Sequence, residues 1–108
     1  MVKSAHQNGV TLVFGPDIIF TTAEYSRGKL SIETIDSWVE AGIPAKVILQ
    51  ALTTNAARLI GVEKERGALR VGMKADIIAT VANPFENIQT LKAVTFVMKN
   101  GGVFKQNR

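Results

Sequence analysis

Apolar residues recur at helical spacing through the first half of the chain and in short runs cut by glycine through the second, with the change falling near Gly61. Val10-Thr11-Leu12-Val13-Phe14 is a run of strand-forming residues bounded by Gly9 and Gly15. It is apolar without strict alternation, which predicts a strand covered on both faces, as in a parallel sheet. Val2 to Asn8 predicts the end of a helix stopped by Gly9.

Farther along, Ser31 can cap a helix in which Ile32, Ile35 and Val39 form one stripe, with Trp38 beside it and Gly42 ending it. Pro44 suits the first position of a second helix, where its missing N–H costs nothing. Ile48 and Leu52 line up on that helix, and Val47 and Ala51 widen the face. Thr53-Thr54-Asn55 interrupts the pattern, with Asn55 placed to cap a third helix that Ala56 to Ile60 continues and Gly61 closes.

Gly67 and Gly72 then punctuate the chain, Ala75 to Val81 contains an apolar strand, and Asn83-Pro84 marks a turn. Val94, Phe96 and Met98 alternate with Thr95, Val97 and Lys99. Asn100-Gly101 supplies the two positive-φ residues of a type I′ turn, from which Gly102 to Lys105 can pair back. Taken together this is an α/β chain but an incomplete architecture, because a parallel strand needs parallel neighbours and none precedes the helices. Either another chain completes the fold, or the sequence is a piece of something longer.

Composition narrows the function classes. The 108 residues are 46% hydrophobic and 20% charged, which takes the chain out of the disordered class. Cysteine is absent and histidine occurs once. Within one copy this excludes a thiol nucleophile, a redox CxxC pair, a zinc finger and a His-rich metal centre. The net charge is +4, but Lys and Arg are scattered, and the densest stretch, Arg58 to Lys74, is broken by Glu63 and Glu65. With one Tyr and one Trp, this is the composition of a solvated basic surface and predicts no nucleic-acid partner. No apolar run is long enough to cross a bilayer, and Met1 to Asn8 lacks the apolar stretch of a secretory signal. The expectation is a cytoplasmic chain with no membrane partner.

Gly15-Pro16-Asp17 is the point most suggestive of chemistry, because ligands of barrels and open α/β sheets collect at the carboxyl ends of strands. On spacing alone these three residues read as a turn.

The order of features nevertheless resembles the amidohydrolase superfamily. Asn8 to Asp17 looks like the eighth strand of that family's barrel, which usually ends in Gly-Thr-Asp or Gly-Ser-Asp, so Asp17 falls on the family aspartate. Trp38 to Pro44 and Ala51 to Val62 resemble the helices that follow. Gly67 to Ala79, Asn83 to Ile88 and Val97 to Gly101 resemble the strands that return to the small β-sandwich beside the barrel. Imidazolonepropionase-like enzymes and Xaa-Pro dipeptidases are the most similar subgroup.

The resemblance implies that residues 1–61 are the C-terminal end of a (β/α)8 TIM barrel, strand eight with its helices. Residues 62–108 are then the last strands of the β-sandwich. It implies a metal-dependent hydrolase of amide, peptide or cyclic amide C–N bonds, with a small-molecule or dipeptide substrate. One or two divalent ions, usually Zn2+, activate a water there, and Asp17 would be both metal ligand and catalytic proton carrier.

The family's other ligands, a His-x-His pair, a Lys or Glu bridge and two further histidines, lie on earlier strands, and none is present. His6 precedes the strand and reads as a helix-end residue, while Asp76 reads as a turn residue. Pro16 stands where the family has Thr or Ser. The sequence therefore predicts a C-terminal fragment that binds no metal and is inactive alone, with the missing N-terminal part of the barrel, or another copy of itself, as partner. The alternative is a free-standing, non-catalytic assembly module derived from that fold.

Overall fold

The computed structural model describes residues 1–107. Five helices come first: α1 (Val2–Gln7), α2 (Arg27–Glu33), α3 (Ile35–Glu40), α4 (Ala45–Leu52) and α5 (Thr54–Leu59). Strands β1 (Ile77–Thr80), β2 (Val94–Lys99) and β3 (Gly102–Gln106) follow, with a 3-10 helix at Ile88–Lys92 between β1 and β2.

The core lies among the helices and the 3-10 helix. Leu12, Ile35, Ile43, Ile48, Ala51, Ile88 and Leu91 form one buried cluster. Ile48 and Ala51 are the buried residues of α4, so its stripe read from the sequence faces inward, whereas the single helix expected from Ser31 to Gly42 is two, with Ile32 on α2 and the buried Ile35 on α3. Val39, from the same expected stripe, is 38% exposed. Trp38, read as a flanking residue, packs edge-on against Phe14 with ring centroids 5.1 Å apart.

The strands form one antiparallel sheet in the order β1-β2-β3. Lys99 pairs with Gly102, leaving Asn100 (φ 51°) and Gly101 (φ 79°) as the two-residue loop. This is the hairpin expected from the Asn-Gly pair. The strand within Ala75–Val81 is shorter than the apolar run, because pairing with β2 spans only Ile77 to Thr80.

Several expectations are corrected. Val10–Phe14 is not a strand, and no described segment pairs with it. A strand exists only through a ladder, and the described residues supply no neighbour. Ser31 is inside α2 rather than at its start, where its hydroxyl donates to the Arg27 carbonyl at 2.8 Å. Ser26 is the cap instead, accepting the Lys29 N–H at 3.2 Å. Pro44 occupies the cap position, with ψ of 148°, rather than the first helical turn. Asn55 lies within α5 and does not cap it.

Among the described residues no helix is long and apolar enough to cross a membrane. Large apolar side chains stand in solvent on several elements, including Ile19, Leu59, Ile60, Val71, Val81 and Phe104, each at least 70% exposed.

Candidate functional site around Asp17

Asp17 lies beyond the core-bound segment Leu12–Phe14, at the start of an irregular stretch that runs to α2. It is exposed, and its backbone is left-handed at φ 53°. Asp tolerates that region better than most residues, because its short polar side chain can bond locally. Leading up to it, Leu12 is buried and Phe14 packs on the core. Pro16 and Gly15, with Thr34, Ser37 and Trp38, border a shallow cavity of about 200 Å³.

The segment is fastened to the helices by two hydrogen bonds. The Phe14 N–H donates to the Ala51 carbonyl at 3.1 Å, and Asn55 Nδ2 donates to the Leu12 carbonyl at 3.0 Å. The role of Asn55 was missed in the sequence, although an Asn in the first turn of a short helix, where it is a weaker helix former than Ala, was a signal to look for a tertiary partner. His6 sits in the last turn of α1, as a helix-end residue.

Among the described residues no three His, Cys, Asp or Glu side chains converge on a point where a metal ion could sit. A catalytic zinc takes three protein ligands, and one carboxylate does not meet that requirement. The chain's own residues therefore do not fit a complete metal centre.

Two polar clusters lie elsewhere. Asp76 accepts the Asn100 N–H at 2.9 Å and pairs with Arg66. The Asn100 N–H first, and the Arg66 guanidinium second, hold its carboxyl below the usual carboxylate range. Lys92 Nζ lies 2.6 Å from Asp36 and 2.9 Å from Glu33, and Gln89 donates to Asp36 at 2.9 Å. These contacts lower the Asp36 carboxyl, Lys92 contributing most, and raise the Lys92 ammonium, Asp36 contributing most. Both clusters tie elements together and neither adjoins Asp17 in sequence.

Residues 1–104 match the model of the amidohydrolase family, and the chain belongs to that family. It is 35% identical over 107 residues to ochratoxinase from Aspergillus niger, covering 95% of this chain but 21% of that protein. The crystal structure of A. niger ochratoxinase superposes with a TM-score of 0.70 at 33% identity, over 97% of this chain and 24% of that one. A Xaa-Pro dipeptidase crystallised with methionine in its active site superposes with a TM-score of 0.80 at 33% identity, over 95% of this chain and 24% of that one. The chain thus spans between a fifth and a quarter of the length of these relatives. Its fold is a mixed α/β portion of theirs.

Proposed function

We propose that this chain is the part of a metal-dependent amidohydrolase that carries the end of the last barrel strand, the helices after it and the returning strands of the β-sandwich. The enzyme hydrolyses a C–N bond, with an Xaa-Pro dipeptide or a comparable amide as the substrate class. The carrying observation is the likeness to a Xaa-Pro dipeptidase and to ochratoxinase over at least 95% of the chain. Asp17 is the chain's contribution to the site: its carboxylate accepts a proton from the attacking water and passes it to the leaving amine. Zn2+ or another divalent ion belongs to the complete enzyme, where the remaining ligands are supplied from outside these 108 residues. The cytoplasmic location expected from the sequence is part of this reading.

Alone, the chain is inactive and associates through its uncovered apolar surface, represented by Ile60, Val71 and Phe104. Its natural partner is the rest of the barrel.

The test is complementation. A Xaa-Pro dipeptidase homologue truncated before the matching segment is co-expressed with this chain and assayed with zinc or manganese on dipeptides ending in proline. The expected result is no turnover by the chain alone, metal-dependent turnover by the complex, and loss of that turnover in Asp17→Asn. Turnover by the chain alone, or a stable complex without activity, would overturn the reading.

A further inference from the structure

The segment that delivers Asp17 has no strand beside it, yet it is held in register with the helices. Leu12 is 9% exposed, and a carbonyl on a buried residue needs a donor if no ladder provides one. Asn55, 43 positions away in sequence, supplies it through Nδ2 at 3.0 Å. Two residues on, the Phe14 N–H reaches the Ala51 carbonyl at 3.1 Å. Ala51 ends the buried face of α4 and Asn55 lies in the first turn of α5, so the α4–α5 corner grips alternate residues of the segment much as a neighbouring strand would.

Asn55 is poorly explained by its own helix. It caps nothing, since the cap position of α5 is Thr53, and Asn is a weaker helix former than Ala. Its carboxamide instead spends a donor on a distant backbone atom. From Leu12 the chain runs five residues to Asp17, with Phe14 locked against Trp38 on the way.

We propose that Asn55 is a positioning residue: its side-chain amide fixes the Leu12 carbonyl and thereby sets where the chain places the Asp17 carboxylate. The functional meaning of this rests on the reading of Asp17 given above, but its test does not involve turnover.

Hydrogen exchange and NMR on the 108-residue chain decide it. In the unmodified chain the Asn55 side-chain NH2 exchanges more slowly than a free carboxamide. Asn55→Leu keeps the branching and nearly the size of the side chain and removes its donor without introducing a charge. It speeds exchange of the Phe14 amide about two- to tenfold, the loss expected for one hydrogen bond, and shifts the Asp17 carboxyl carbon signal. The Met98 amide in β2 exchanges as before.

An Asn55 NH2 that exchanges freely in the unmodified chain overturns the proposal. So does a folded variant in which Phe14 and Asp17 are unmoved, or one in which Phe14 and Met98 speed up equally, since that is a loss of overall stability. Should Asn55→Leu fail to fold, Asn55→Ala takes its place in the same measurements, and a freely exchanging Asn55 NH2 in the unmodified chain still overturns the proposal. A negative complementation assay would remove the catalytic reading of Asp17 and leave the Asn55 contact standing.

Discussion

The backbone N–H of Asn100 donates to the Asp76 carboxylate at 2.9 Å, across 24 positions of sequence. Arg66 pairs with the other oxygen, and the Gly101 N–H reaches the Ala75 carbonyl at 3.1 Å. The residue before β1 therefore fastens the turn between β2 and β3. Asp76→Ala should lower the melting temperature at pH 7. Because the folded carboxyl is held below its ordinary value, the stabilisation is present above the unfolded pKa of about 3.9 and is lost as pH falls through the folded value. Melting temperatures of wild type and variant should converge in strong acid; a constant gap would show that charge plays no part.

Lys92 is the corresponding tie between the helices and the 3-10 helix. Asp36 is lowered and Lys92 raised by their mutual hydrogen bond. The carboxylate side fades as pH falls below about 3.9, and the ammonium side as pH rises through a value above about 10.4. Between those limits Lys92→Met should show a small loss of thermal stability that shrinks as salt is added, since the groups are partly exposed and open to screening. A loss unchanged between low and high salt would assign the effect to packing of the Lys92 stem instead.

Much of this fold was legible in the chain because the signals are local. The Asn100-Gly101 turn requires only two residues that accept positive φ, and the stripe of Ile48 and Ala51 requires only helical spacing. What failed depended on distant partners. Val10–Phe14 has the composition of a covered strand, but composition cannot supply a neighbour, and here α4 and α5 take the neighbour's place. Ser26 outcompeted Ser31 as a cap because α2 begins a turn earlier than its apolar stripe, with Arg27, Gly28 and Lys29 on its exposed start. Gly15-Pro16-Asp17 stands out by its place after an apolar run, but its spacing reads as a turn, and only the family resemblance points to a role for the Asp17 carboxylate.

Gly67 is held where no other residue fits. Its φ is 96°, and a Cβ there would lie 2.6 Å from the Ala57 Cβ and 3.1 Å from the Thr53 carbonyl oxygen. Gly72, at φ 89°, has nothing within 4 Å of the same position. Gly72→Ala should cost about 1–2 kcal/mol for the left-handed backbone alone. Gly67→Ala should cost about 1–3 kcal/mol more, because α5 must move away. Urea denaturation of the two variants gives the comparison, and equal costs would contradict the close approach of this loop to α5.

Ile35 and Ile48 are fully enclosed, both at 0% exposure. Truncating either to Ala should cost about 2–5 kcal/mol, a large part of the stability of a domain this size. Ile48→Val should cost about 0.5–1.5 kcal/mol. Denaturant midpoints test the ranking. A mild effect of Ile35→Ala would mean that α2 and α3 collapse onto the vacated space.

Asp17 offers the sharpest separation of stability from function. Its left-handed backbone is a conformation that glycine adopts without penalty and alanine does not. If Asp17 is kept for its carboxylate, Asp17→Gly should leave the chain as stable as before or more stable, by no more than about 1 kcal/mol, while Asp17→Ala should lose about 1 kcal/mol. Both substitutions should abolish turnover in the complemented enzyme, because neither leaves a group able to take a proton from water. Residues held in strained backbone regions cluster at functional sites, and this pair of variants tests that connection here. Should Asp17→Gly destabilise the chain by more than about 1 kcal/mol, the carboxylate is fastening the turn after Phe14, and the catalytic assignment would lose its structural support.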